Sequence, residues 1–208
     1  MPIEFLTQAL VTLFVTIDPI GMAPVFLAVT RGMTGEQRRQ TAVRAVVIAG
    51  AVLVMFAFLG QLLLDFFGIT MPAFRIAGGL LLFVIAFEMV FERRERRKAE
   101  SVERALTHED VGHLAVFPLA IPLIAGPGAI SATILLAARA PDAIVVGEVA
   151  LVALLMVAAC LLVFLAAGGI ERLLGDTGRI VLTRLLGVIL SALSVQYVAD
   201  GILAFARM

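Results

Sequence analysis

The sequence predicts an all-α membrane protein with six transmembrane helices, arranged as two inverted three-helix repeats. Three observations predict this class: the composition, the length of the apolar segments, and a proline pattern that recurs in the two halves. Of the 208 residues, 62% are hydrophobic and only 15% are charged, whereas a soluble globular chain carries about 25% charged residues. A soluble fold could not bury so much apolar surface, so we expect the chain to lie in a lipid bilayer.

Six apolar segments are long enough to cross that bilayer. A spanning helix needs about 20 mostly apolar residues, because it must cross roughly 30 Å of hydrocarbon. The segments cover residues 5–29, 42–64, 69–91, 114–138, 144–167 and 180–204. The chain accordingly divides into a first three-helix repeat (1–91), a charged cytoplasmic linker (92–112) and a second, inverted repeat (113–208).

The distribution of basic residues predicts the orientation. Most of the 16 Lys and Arg residues lie at the first, third and fifth connections between the segments. Because basic residues collect on the cytoplasmic side, both termini are predicted to lie outside, in the periplasm of a prokaryotic cell. The linker is expected to be a solvated, partly helical strap, since its acidic and basic residues recur three and four apart.

Composition also argues against several functions. The net charge is zero, so nothing indicates a nucleic-acid partner. The predicted spans contain no His and one central Asp, whereas an intramembrane enzyme would need a second Asp, a Ser with a His, or a zinc-binding His pair. His108 and His113 have no further ligand nearby, so no metal site is expected. We therefore expect no enzyme and no cofactor, and leave Na⁺ and H⁺ open as coupling ions and the oligomeric state undetermined.

Prolines recur in both halves of the chain. Pro19 and Pro24 lie in the first segment. Pro122 and Pro127 lie in the fourth segment, each 103 residues after its counterpart. Since each half has three spans, the chain enters the second half from the opposite side of the membrane. Inverted repeats of this kind are common in secondary transporters, where corresponding broken helices meet near the midplane.

Neither proline-containing segment can be a continuous α-helix. We call residues 18–24 the first break and residues 122–128 the second break. An interior proline costs about 3 kcal/mol, and glycine adds about 1 kcal/mol relative to alanine. Freed backbone groups cannot face lipid, so the breaks must face protein or a water-filled cavity. Pro24 and Pro127 are each predicted to start a half-helix whose free amides favour a carboxylate, and Ser131 can add a hydroxyl donor.

Asp18 is the one acidic residue in the middle of a predicted span. An aspartate before a proline suits a helix cap, whereas an intramembrane carboxylate is also a candidate ion ligand, proton carrier or partner for a substrate amine. The sequence leaves both roles open. Thr16 and Gln196 are candidates for polar support within the spans.

Several short motifs together resemble the MarC family of membrane proteins. These motifs are Asp-Pro-Ile-Gly at 18–21 with Pro24, Phe-Gly-Ile at 67–69, Arg-Ile-Ala-Gly-Gly at 75–79, and Ala-Gly-Pro-Gly at 125–128. The family is similar to small neutral amino-acid transporters of the SnatA type, so the resemblance implies a prokaryotic inner-membrane protein for which glycine and alanine are the expected substrates. The positions that the resemblance implicates are Asp18, Pro19, Gly21, Pro24, Gly126, Pro127 and Gly128.

The sequence therefore predicts a secondary transporter of small neutral amino acids that works by alternating access and binds its substrate at the two breaks. Two alternatives stay open: a non-transporting membrane regulator or assembly partner, and an exporter of other small metabolites.

Overall fold

The computed structural model describes residues 3–94, 97–98 and 115–207, and this part of the chain is helical. A 3₁₀ turn, Ile20–Met22, lies between the first two helices, and a π-helical segment, Ala115–Ile124, precedes the fifth. The helices are α1 Ile3–Ile17, α2 Ala23–Val29, α3 Gly35–Phe66, α4 Met71–Val90, α5 Pro127–Ala137, α6 Ala143–Leu165 and α7 Ala167–Phe205.

Five stretches of the described chain are long and apolar enough to cross a membrane, and α5 is a shorter apolar helix. The first predicted span is confirmed as Ile3–Val29, interrupted between α1 and α2. The fourth predicted span is divided between the π-helical segment and α5. Where the sequence predicts six spans, the structure thus shows five long apolar helices and a shorter one, and the inverted-repeat arrangement stays a prediction.

Local sequence explains where the helices begin. Thr34 and Gln37 form a capping box at the start of α3, with backbone-to-side-chain distances of 2.9 and 3.3 Å. Asp142 accepts a hydrogen bond of 2.9 Å from the Val145 amide at the start of α6. Each cap satisfies an amide that the first helical turn would otherwise leave without a partner.

The two interrupted stretches are the most buried helices of the bundle. The Ile3–Val29 stretch is 67% buried, against 22–39% for the other four candidate spans. Almost every residue of α5 is likewise buried. The outer helices instead expose large apolar side chains such as Phe58, Leu62 and Leu162, which suits contact with lipid. The first break and the start of α5 therefore lie among the most buried helices of the described bundle.

Glycines bring α4 and α7 into close contact. A Cβ atom at Gly79 of α4 would lie 2.9 Å from the Ser194 carbonyl oxygen of α7. A Cβ atom at Gly187 of α7 would lie 2.9 Å from Cβ of Met89 on α4. Small residues allow this approach, as is usual where membrane helices pack.

Candidate functional site

The first break begins at Asp18, where α1 ends. Asp18 has a φ of 57°, a left-handed conformation that aspartate tolerates better than most residues do. Its side chain is buried, and its Oδ1 accepts a hydrogen bond of 3.1 Å from the Gly21 amide. A Cβ atom at Gly21 would collide with that carboxylate. Glycine is therefore needed at position 21 if Asp18 is to hold this conformation.

The amides of Met22 and Ala23 in the first break have acceptors. The Met22 amide donates to the Pro19 carbonyl at 3.2 Å, and the Ala23 amide donates to the Ile20 carbonyl. The prediction that Pro24 starts a half-helix is therefore wrong, because the 3₁₀ turn runs directly into α2, whose first residue is Ala23. Pro24 accordingly takes the second position of α2 rather than the first. The role of the amides that follow Pro24 stays a prediction.

The second break has a different geometry. Gly126 is extended, with φ −80° and ψ 171°, and Pro127 is the first residue of α5 as predicted. No side chain caps this end, and helix geometry supplies no acceptor to the amides of a first turn. A Cβ atom at Gly126 would collide with the Pro122 carbonyl oxygen. The second break therefore supplies a helix amino end, with its partial positive charge.

Two basic residues of the charged linker enter the bundle at the first break. Lys98 Nζ lies 3.0 Å from Asp18 Oδ2, and the Arg94 Nη2 group donates to the Thr16 carbonyl oxygen at 2.6 Å. Arg94 and Lys98 are only 6% and 3% exposed, so the prediction of a solvated linker is wrong for these two residues. The physical reason is that the Thr16 carbonyl and the Asp18 carboxylate need partners once they are removed from water. We refer to Arg94, Arg97 and Lys98 as the basic strap.

The basic strap is also held to the neighbouring helices. Glu92, with a φ of 60°, reverses the chain just after α4, and it forms an ion pair with Arg184 of α7. Arg97 forms an ion pair of 2.8 Å with Glu88 of α4. These contacts fix the path of the chain from the end of α4 towards Asp18.

A cavity of about 230 Å³ separates the basic strap from the second break. Its wall includes Thr16 of α1 and Ile85 of α4. The strap contributes Arg94, Arg97 and Lys98, and the second break with the start of α5 contributes Pro122, Leu123, Gly126, Pro127, Gly128 and Ala129. The structure thus brings the cationic linker and the uncharged break together around one space.

The other predicted site residues are placed less uniformly. Asp18 contacts Lys98, and Lys98 lines the cavity. Ser131 is buried further along α5. Gln196 is exposed on α7 and donates to Asp200 of the same helix at 2.7 Å. Its support role, like the binding roles of the other residues, stays a prediction. His108 and His113 lie outside the described residues, and within the described part no group of His, Cys, Asp and Glu could hold a metal ion.

Sequence reasoning missed the basic strap as part of the site. One signal was available: Lys98 is the only lysine in a chain whose other basic residues are all arginine. Basic residues in a short connection are usually cytoplasmic and solvated, so the many arginines of the linker obscured the two residues, Arg94 and Lys98, that turn inward.

A buried core of interrupted helices, apolar outer faces and an internal cavity with charged walls define a multi-pass helical membrane protein. The chain belongs to the MarC family: residues 3–206 match the family described as "MarC family integral membrane protein". This confirms the family predicted from the motifs.

Curated relatives extend over nearly the whole chain. It is 37% identical to a UPF0056 membrane protein of Archaeoglobus fulgidus over 202 residues, which cover 96% of this chain and 93% of that protein. It is 35% identical to the UPF0056 membrane protein YhcE of Escherichia coli over 192 residues, covering 91% of this chain and 88% of the relative. No solved structure gives a significant match. The chain is therefore a multi-pass membrane protein of a prokaryotic family whose names state no activity.

Proposed function

We propose that this protein is a secondary transporter of small neutral amino acids, such as glycine or alanine, and that the substrate binds between the two breaks during alternating access. One observation carries the proposal. A single cavity has the amino end of α5 on one side and, through Lys98, the carboxylate of Asp18 on the other.

The two breaks complement the two charged ends of an amino acid. The amides at the start of α5 and its partial positive charge suit a carboxylate. The Asp18 carboxylate suits an ammonium group, since a buried ion is stable only when it is paired. A zwitterion thus satisfies both breaks without bringing net charge into the membrane.

The size of the cavity favours a short side chain. Its volume of about 230 Å³ is below the roughly 300–1,000 Å³ typical of sites for drug-sized ligands. Ile85 and Leu123 add apolar surface to the wall. Glycine and alanine have side chains small enough for this space and offer no further polar group that would need a partner.

The location of the breaks suits alternating access. The first break lies in the most buried long helical stretch, and the second leads into the buried helix α5. Bending of a helix at such a position can open or close a route for the substrate without exposing backbone groups to lipid. The Thr16 carbonyl and the Asp18 carboxylate, which bind Arg94 and Lys98 in this conformation, are the oxygen atoms that a coupling Na⁺ or H⁺ would meet.

Uptake of radiolabelled glycine and alanine into proteoliposomes tests the proposal. We expect saturable uptake, and we expect Asp18→Asn to lower it by about tenfold or more, because loss of one partner of a buried charge pair costs about 2–5 kcal/mol. Asp65→Asn is the matched control, since Asp65 is exposed at the end of α3. Absence of saturable flux for either amino acid would contradict the proposal and favour a non-transporting regulator.

A further inference from the structure

Lys98 has an environment unlike that of a linker residue. Its ammonium lies 3.0 Å from the Asp18 carboxylate, and the two side chains are only 4% and 2% exposed. Arg97, the preceding residue, is 57% exposed and pairs at the surface. An ionisable side chain buried within the helices of a membrane protein is costly and usually has a function. The burial of Lys98 therefore needs an explanation beyond the solvation of a connecting segment.

Lys98 stands between Asp18 and the cavity. Its side chain lines the cavity and at the same time contacts the carboxylate. A solute in the cavity could therefore bind Asp18 only by taking the place of the lysine ammonium. An α-ammonium group has the same charge and the same hydrogen-bond donors as the lysine side chain.

We propose that Lys98 occupies the ammonium subsite of the transporter and that the basic strap is an intramolecular competitor of the substrate. The identity of the ligand rests on the function proposed above. In this conformation the strap closes the site from its own side of the bundle, and it must withdraw before an amino acid binds. Lys98 thus sets the apparent affinity for substrate.

The exchange keeps every buried charge paired. Removing Lys98 alone would leave the Asp18 carboxylate buried without a cation, which is strongly unfavourable. An incoming ammonium group replaces the lysine ammonium one for one, while Lys98 regains water at the end of the bundle. Arg94 belongs to the same strap, so its hydrogen bond to the Thr16 carbonyl breaks when the strap withdraws.

Tethering makes Lys98 an effective competitor. The strap begins shortly after α4, and a short tether gives an effective concentration on the order of millimolar. The apparent dissociation constant of a ligand rises in inverse proportion to the fraction of sites that are open. Loss of the lysine charge should therefore open the site and strengthen substrate binding.

Access to the cavity can be measured without any substrate. Ala129 lines the cavity at the start of α5, so Ala129→Cys in a Cys160→Ala background places one thiol in its wall. We expect N-ethylmaleimide to modify this thiol about tenfold or more faster when Lys98→Met is added, because the open fraction rises. The matched control is Arg93→Gln, which removes a charge from an exposed residue directly before the basic strap that does not line the cavity, and we expect it to change the rate by less than about twofold.

A double variant keeps the test decisive if Lys98→Met fails to fold. Asp18→Asn combined with Lys98→Met removes both buried charges, and the same increase in labelling rate is expected. If the folded double variant, or folded Lys98→Met, is labelled no faster than the Arg93→Gln control, the strap does not close the cavity and the proposal is overturned.

Glycine binding then separates this proposal from the proposed function. We expect glycine to bind the Lys98→Met variant about tenfold or more tightly than it binds the native protein. Faster labelling without any binding or transport of glycine would support closure of the cavity by the basic strap and overturn the choice of substrate. Glycine transport with unchanged labelling would support the proposed transport function and overturn the closure of the cavity by the basic strap.

Discussion

The two breaks of this protein solve the same backbone problem in different ways. At the first break, a side chain and a 3₁₀ turn supply acceptors for the local amides, and the carboxylate that remains binds a lysine from the linker. At the second break, Gly126 and Pro127 start a helix that no side chain caps. One break thus presents negative charge and the other a helix amino end. Equivalent proline patterns thus have opposite electrostatic character in the two halves of the chain.

The difference between the breaks bears on how the predicted repeat would bind a substrate. A strictly symmetric pair of breaks would present the same group twice and could not distinguish the two ends of a zwitterion. At the spacing that relates Pro19 to Pro122, Asp18 corresponds to the uncharged Ile121. We infer that the asymmetry between the breaks fixes the direction in which an amino acid binds.

The largest expected effect on stability is at the second break. Gly126→Ala would drive a Cβ atom into the Pro122 carbonyl oxygen, which belongs to the backbone and cannot swing away. We expect the free energy of unfolding in detergent micelles to fall by about 3 kcal/mol, at the upper end of the usual cost of overpacking.

Gly147→Ala is the control for this substitution. Gly147 lies in α6 with nothing within 4 Å of an added Cβ atom, and alanine is favoured over glycine in a helix by about 1 kcal/mol. We expect Gly147→Ala to leave the protein as stable as before or more stable. An equal effect of the two substitutions would show that the geometry of the second break is not constrained.

A smaller effect is expected at the first break. Gly21→Ala would collide with the Asp18 carboxylate, which is a side chain and can rotate, so we expect a loss of about 2 kcal/mol. The rotation would also separate Asp18 from Lys98 and speed the labelling of a cysteine at position 129. Unfolding in micelles and maleimide labelling check the two expectations, and an effect larger than that of Gly126→Ala would reverse the contrast between side-chain and backbone constraint.

The smallest effect is the coupling between Asp18 and Lys98. A double-mutant cycle with Asp18→Asn and Lys98→Met should give a coupling energy of about 1.5 kcal/mol, since the two groups are in contact and buried. The comparison pair is Arg139 and Asp200, 3.0 Å apart and about one quarter exposed, for which we expect less than about 1 kcal/mol. Equal coupling in both pairs would mean that burial of the first pair adds nothing.

The sequence predicted much of this architecture because membrane burial has strong signatures. The long apolar segments predicted the membrane-spanning helices, and the prolines and glycines inside two of them predicted both interruptions. Pro127 was correctly predicted to begin a helix. The start of a half-helix at Pro24 was predicted wrongly, since the 3₁₀ turn at Ile20–Met22 runs directly into α2 at Ala23. The burial of Arg94 and Lys98 was also missed, because a contact between residues 18 and 98 is set by tertiary packing and leaves no local period in the sequence.

A structure of the protein with glycine bound is the most direct test of the central claim. The account predicts the ammonium of glycine at the Asp18 carboxylate, its carboxylate at the first amides of α5, and Lys98 displaced from Asp18. Glycine bound elsewhere, or bound in the cavity while the contact between Lys98 and Asp18 remains intact, would contradict it.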